Sequence, residues 1–173
     1  MKRTSSLLQY NNMRFLCDQM LGTLAKWLRL LGFNTFYVNN EMEDSELLQI
    51  AKKEKRIIVT RDKELFIRGK KQNLKVIKIT STDLDVQLIH VLNGIRINEE
   101  AIFSRCSLCN TLIKKIEKGE IKDKVPEKIY KYNKIFWLCP KCDKIYWMGS
   151  HYNKIIAKIN EIKNNFQQST ISF

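Results

Sequence analysis

Two cysteine pairs with one spacing constrain this chain more than any other feature: Cys106 and Cys109 in RCSLCN, and Cys139 and Cys142 in LCPKCDK. Paired C-x-x-C turns in a chain without a secretory leader pattern point to a tetrahedral thiolate metal site, because two cysteines three apart on a tight turn reach one ion. Redox dithiols are the competing reading, ranked lower because neither pair opens a helix after a strand. Four thiolates complete the coordination of a zinc ion and leave no position for water. The expected Zn2+ is therefore structural, holding a segment with little core of its own. Cys17, in the apolar run RFLC, is left over and reads as a small buried hydrophobe.

Ahead of the cysteines the pattern changes to strands alternating with helices. MRFLC, NTFYV, RIIVT and KVIKI read as strands, the third as an almost continuous apolar strand of the buried parallel kind. Between them, LGTLAKWLRLLG places Leu24, Trp27, Leu28 and Leu31 on one helical face with Gly32 as its C-cap, and DSELLQIAKKEK is a helix behind an acidic start. A short helical patch follows RIIVT, and LDVQLIHVLNG is a helix ending at Gly94. This alternation predicts a parallel, doubly wound α/β sheet with flanking helices, followed by a small zinc ribbon. The expected layout is an α/β domain over 13–98, the four-cysteine ribbon over 103–152, and a C-terminal amphipathic helix and tail over 153–173.

In open α/β sheets functional groups collect outside the carboxyl ends of the strands. Asp18 follows the first strand, Asp44 starts the helix after the second, Asp62 follows the third, and Asp83 and Asp85 follow the fourth. Right-handed crossovers bring all of them to one edge. The plain alternative is that Asp44 and Asp85 are helix N-caps, a reading at least as strong as function for those two, and it extends to Asp18 and Asp62 as caps of the helices that follow them. The functional reading is a cluster of hard oxygen ligands for Mg2+ or Mn2+, ions that bridge to phosphate oxygens in phosphodiester hydrolysis. Arg61 and Arg29 are placed near this edge, either to clamp a phosphate or to pair with the acids, with pairing favoured for Arg29. Thr60 and Gln87 are candidates for orienting ligands.

The 173 residues carry a formal charge of +13, with 14 Lys and Arg against 6 Asp and Glu in residues 101–173. That balance favours polyanionic partners, nucleic acid before an anionic membrane surface, although a Lys- and Ile-rich genome gives the same drift. No apolar run approaches the roughly 20 residues of a membrane span. The N-terminal MKRTSSLLQYNN lacks a signal-peptide core, so a cytoplasmic protein is expected.

The stretches FLCDQMLGTLAKWLRLLGF, RIIVTRDKEL, RCSLCN, VPEKIY and CPKCDKIYWMGSH, in that order, resemble the Mut-seven C-terminal ribonuclease family, a PIN-like domain followed by a zinc ribbon. The resemblance spans roughly residues 13–152. It implies a metal-dependent ribonuclease with Asp18, Asp44 and Asp62 as the first three acids, Asp83 or Asp85 as a fourth, and the four cysteines as zinc ligands. It also makes a homodimer plausible. The alternative function is a non-catalytic RNA-binding or ribonucleoprotein-associated factor on the same fold. A protein-interaction module using the ribbon is a third, which predicts no salt-sensitive RNA affinity.

The segment KIYKYNKIFWLCPKCDKIYWMGSHYNK interleaves lysines with aromatics, a combination suited to single-stranded RNA. Candidate RNA-binding residues are Arg61, Lys131, Lys144, Tyr146 and His151, the last either near the RNA path or simply exposed. A small ribbon also needs aromatics for its own core, which is the expectation for Trp137 and Trp147. Beyond it, IIAKINEIKNNF sets Ile155, Ile156, Ile159, Ile162 and Phe166 on one stripe of an amphipathic helix, and QQSTISF is expected to fray.

Overall fold

A computed structural model describes residues 13–38 and 42–169; within the last helix, the side chains of residues 151, 163 and 165–169, His151 and Phe166 among them, lie outside the described residues. The chain divides into two compact units, one ending at Asn110 and the other starting at Thr111.

The first unit alternates strand and helix as the hydrophobic pattern requires. In chain order it holds β1 (Arg14–Cys17), a 3-10 turn (Gln19–Leu21), α1 (Gly22–Leu30), β2 (Asn34–Tyr37), α2 (Asp44–Glu54), β3 (Ile57–Thr60), α3 (Lys63–Lys71), β4 (Val76–Lys78) and α4 (Leu84–Leu92). The strands pair in the order β2-β1-β3-β4, all parallel, with Cys17 opposite Tyr37 on one side and Val59 on the other. Side chains of successive strand residues point to opposite faces. Leu16 and Ile58 therefore join Leu47, Leu48, Ala51, Leu65 and Val76 in one core, against α2 and α3. On the other face α1 packs beside α4, and Phe15, Cys17 and Val59 are fully buried with Leu24, Leu28, Leu88 and Leu92. Phe15 and Phe33 meet edge to face, ring centres 5.4 Å apart.

The end of α1 shows how sequence stops a helix here. Gly32 stands at φ 91°, and a Cβ there would lie 2.4 Å from the Ala101 carbonyl oxygen. Glycine is required twice over, by the left-handed turn and by the close approach of backbone.

The second unit carries β5 (Lys114–Ile116), α5 (Glu127–Tyr132), β6 (Phe136–Leu138), β7 (Ile145–Trp147) and α6 (Ser150–Ser169). Its strands form an antiparallel sheet in the order β5-β6-β7, with Trp137 opposite Lys115 and Tyr146. The core residues differ from those expected. Phe136 and Ile121 are fully buried, whereas Trp137 and Trp147 are only partly covered. Three-residue strands present too little surface to enclose an indole, so the smaller ring on the alternate position goes in. Helix α6 begins at Ser150 and buries Ile155, Ile159 and Ile162 along one stripe, with Ile156 at its margin. The helix extends through Gln167, Gln168 and Ser169, where fraying was expected; residues 170–173 lie outside the described residues.

Candidate functional site

Strand order decides where the first unit gathers chemistry. From β1 the chain crosses to β2 on one side and returns to β3 on the other, so the crevice between the carboxyl ends of β1 and β3 is the topological switch point. Asp18 leaves β1 there, its N–H bonded to the Val59 carbonyl at 3.2 Å. Asp62 follows Thr60 and Arg61 from β3.

One hydroxyl links the Asp18 carboxylate to the Asp62 backbone. Thr60 Oγ1 donates to Asp18 Oδ2 and accepts from the Asp62 backbone N–H at 2.8 Å. Asp18 Oδ2 also accepts the Arg61 N–H at 2.9 Å, and Asp18 Oδ1 accepts the Met20 N–H at 3.0 Å. Asp18 is thus buried, 5% exposed, and held from three directions. Asp62 is exposed; its Oδ1 accepts the Leu65 N–H at 2.7 Å as the N-cap of α3. Thr60, given little weight from sequence, is the residue that fastens β3 to both acids. The signal for it was a hydroxyl ending an apolar strand, directly before the acid-bearing turn.

The other acids have different surroundings. Asp44 is the first residue of α2 behind the N-cap Glu43, and its Oδ2 pairs with Arg68 Nη1 at 3.1 Å. Asp83 is the N-cap of α4, its Oδ1 accepting the N–H groups of Asp85 and Val86, both at 2.9 Å. The capping alternative thus falls on Asp18, Asp62 and Asp83, while Asp44 and Asp85 stand in the first helical turn. Gln87 is buried and donates to the Ser81 carbonyl at 2.9 Å. Among the described residues, the four cysteines are the group of three or more ligand-type side chains close enough to hold one metal ion.

Arg29 and Arg61 separate. The Arg61 side chain has no described hydrogen bond or ion pair. Arg29, in the last turn of nine-residue α1, has no described hydrogen bond or ion pair with the acids. Its Nε donates to the Thr35 carbonyl at 3.0 Å, and its Nη1 to the carbonyls of Ser107 and Leu108 at 3.1 and 2.7 Å. Burial lowers its pKa, opposed by nearby cysteine and tyrosine groups. Cys17, beside Asp18, is fully buried; burial first and the Asp18 charge second push its thiol well above the usual range. It stays a protonated hydrophobe, as its sequence setting suggested.

The two cysteine knuckles share one construction. The Asn110 N–H bonds the Cys106 carbonyl, and the Asp143 N–H bonds the Cys139 carbonyl, both at 3.0 Å. Asn110 and Asp143 both take positive φ, 69° and 55°, a conformation these two residue types tolerate best after glycine. The same offset in RCSLCN and LCPKCD was readable in the sequence. Asn110 also accepts the Thr35 N–H at 3.0 Å and donates to Asn34 Oδ1 at 2.9 Å. The four sulfurs all lie within 4.8 Å of one another. A zinc tetrathiolate with Zn–S of about 2.3 Å has sulfur–sulfur edges of roughly 3.8 Å, so this four-cysteine cluster fits a zinc ribbon.

Of the residues expected to meet RNA in the second unit, Lys131 and Lys144 are exposed and Tyr146 is partly buried. Their ammonium groups lie over tyrosine rings, Lys131 over Tyr132 at 5.8 Å and Lys144 over Tyr146 at 5.5 Å. The side chain of His151 lies outside the described residues.

A parallel α/β sheet with acids at its switch point, accompanied by a four-cysteine ribbon, defines the class to which this chain conforms. The family model described as Mut7-C RNAse domain matches residues 13–159, and the chain belongs to that family. No curated protein matches it.

Proposed function

We propose that this protein is a metal-dependent ribonuclease that cleaves RNA phosphodiester bonds at the acidic edge of the sheet, with the ribbon as a structural Zn2+ site that assists RNA binding. The observation that carries this is the Asp18–Thr60–Asp62 arrangement across the switch point. Asp18 and Asp62 would hold Mg2+ or Mn2+. Their hard oxygens suit such an ion, and the Asp62 Oδ2 has no described hydrogen bond. The family resemblance adds Asp44 and one of Asp83 or Asp85 to the set; Asp44 is paired with Arg68, and Asp83 caps α4. When bound, the ion supplies charge neutralisation at the phosphate and activation of water.

The chain's own groups do the rest. Thr60 and the Arg61 N–H fix the Asp18 carboxylate, so it need not reorganise as charge builds. The Arg61 guanidinium, with no partner among the described residues, clamps a non-bridging phosphate oxygen pair. Exposed lysines of the second unit track the backbone, while tyrosine faces stack bases. No helix among the described residues is long and apolar enough to cross a membrane.

A second reading has its own support. Asp18, Asp62 and Asp83 all accept helix-capping N–H groups, which a non-catalytic RNA-binding or ribonucleoprotein-associated factor would also need. The two separate in a cleavage assay of labelled single-stranded RNA by zinc-loaded protein with Mg2+ or Mn2+, beside folded Asp18→Asn and Asp62→Asn variants. The nuclease reading expects the wild type to cut and both variants to bind without cutting. Binding by all three with no cleavage across several substrates overturns it in favour of the docking factor.

A further inference from the structure

The edge of the sheet opposite the acids concentrates guanidinium groups. Arg14 opens β1, exposed and in register with Asn34. Arg56 immediately precedes β3 and is 8% exposed. Its Nη1 donates to the Phe15 and Asn34 carbonyls at 3.0 and 3.2 Å and to Asn34 Oδ1 at 3.0 Å. Arg105 donates from Nε to the Gly32 carbonyl at 3.1 Å and from Nη1 to the Asn110 carbonyl at 3.0 Å. Asn34 Oδ1 receives Asn110 Nδ2 as well, so Arg56, Asn34, Asn110 and Arg105 form one connected network.

Two features distinguish this network from a solvated basic face. Arg56 and Arg105 are anchored by backbone carbonyls and cannot swing apart to relieve repulsion. Their charge also exceeds its compensation: Glu54, 2.6 Å from Arg56 Nη2, is the one carboxylate paired there among the described residues. Arg56 also donates from Nε to Glu54 Oε2 at 2.7 Å, so in the anchored pair the group without a described hydrogen bond or ion pair is Arg105 Nη2. Guanidinium forks fixed in place with surplus charge have the chemistry of an oxyanion site.

We infer that Arg14, Arg56 and Arg105 form a phosphate-binding site at the amino edge of the sheet, whose occupant is a phosphate of an RNA strand. The source of the phosphate rests on the ribonuclease reading; the site itself does not. Exposed Arg14 supplies the mobile arm, and the anchored pair supplies the platform.

Thermal denaturation of the zinc-loaded full chain in rising inorganic phosphate, against chloride at matched ionic strength, tests the site. Wild type is expected to gain stability with phosphate, and Arg14→Gln to need about tenfold more phosphate for the same gain. Equal responses in the two proteins, or none in either, overturn the site. Binding of single-stranded RNA across a salt series tests the source. Arg14→Gln is expected to bind several-fold more weakly and to lower the slope of log K against log salt by about 0.7, one phosphate contact. A phosphate response with unchanged RNA binding in Arg14→Gln overturns the RNA source in favour of free phosphate. A phosphate response in a wild type that binds no RNA does the same, and overturns the ribonuclease reading with it.

Discussion

Thr60 has one hydroxyl proton and directs it to Asp18, while its lone pair receives the Asp62 N–H. Replacing it with isosteric valine leaves a buried carboxylate short of a donor and an N–H without its acceptor. Thr60→Val should cost about 1–3 kcal/mol in urea unfolding, with Thr60→Ser recovering most of it. If the acids act as proposed, cleavage should fall more in Thr60→Val than stability alone explains, read as kcat at temperatures where the variant is fully folded. Arg29 poses a related case. Its three carbonyl acceptors at fixed positions match a planar fork, so Arg29→Lys should destabilise by about 1–3 kcal/mol despite keeping the charge. The pattern of residues was reason to look at Arg29 but did not reveal its destination. A helix of known length fixes how far a residue travels, and the loop that comes to meet it 78 residues later cannot be inferred from periodicity.

At the scale of elements, the helices and strands of the first unit were legible because each carries its own period and its own stop signal. Helix α1 ends where Gly32 was expected to end it, and α4 is followed by Gly94 at φ 72°. The two glycines allow a clean comparison, since a Cβ at Gly94 would meet nothing within 4 Å whereas one at Gly32 would strike Ala101. Gly94→Ala should lose about 1 kcal/mol, from the positive φ alone. Gly32→Ala should lose clearly more, and equal midpoints in urea would remove steric contact from the account. The acidic edge was legible for the same reason, because strand ends can be read from apolar runs. Which acid would cap and which would stand in the first turn was not. The capping alternative for Asp44 and Asp85 missed by one or two residues, as Glu43 and Asp83 took the cap positions, and so small an offset lies within the ambiguity of any helix start. In the ribbon, strands of three residues left period-2 reasoning too little length to choose Phe136 over Trp137.

Across the whole molecule, the four cysteines unite residues far apart in the chain, and the small sheet β5-β6-β7 has few fully buried side chains besides. Chelation should therefore unmake the ribbon. Two of the three tryptophans, Trp137 and Trp147, stand on its strands, so a strong chelator should shift tryptophan emission to the red, and added Zn2+ should reverse it. Emission indifferent to the chelator would mean that the strands hold without metal. The order β2-β1-β3-β4 has a different consequence, one of time. Strand β1 is flanked on both sides by strands synthesised after it. On the ribosome its backbone amides and carbonyls wait for β2 and then β3, and the stretch of chain already made cannot close its centre early. Asp18 shares that wait: its anchor Thr60 arrives only with the third strand, so the carboxyl edge acquires its geometry when the sheet does.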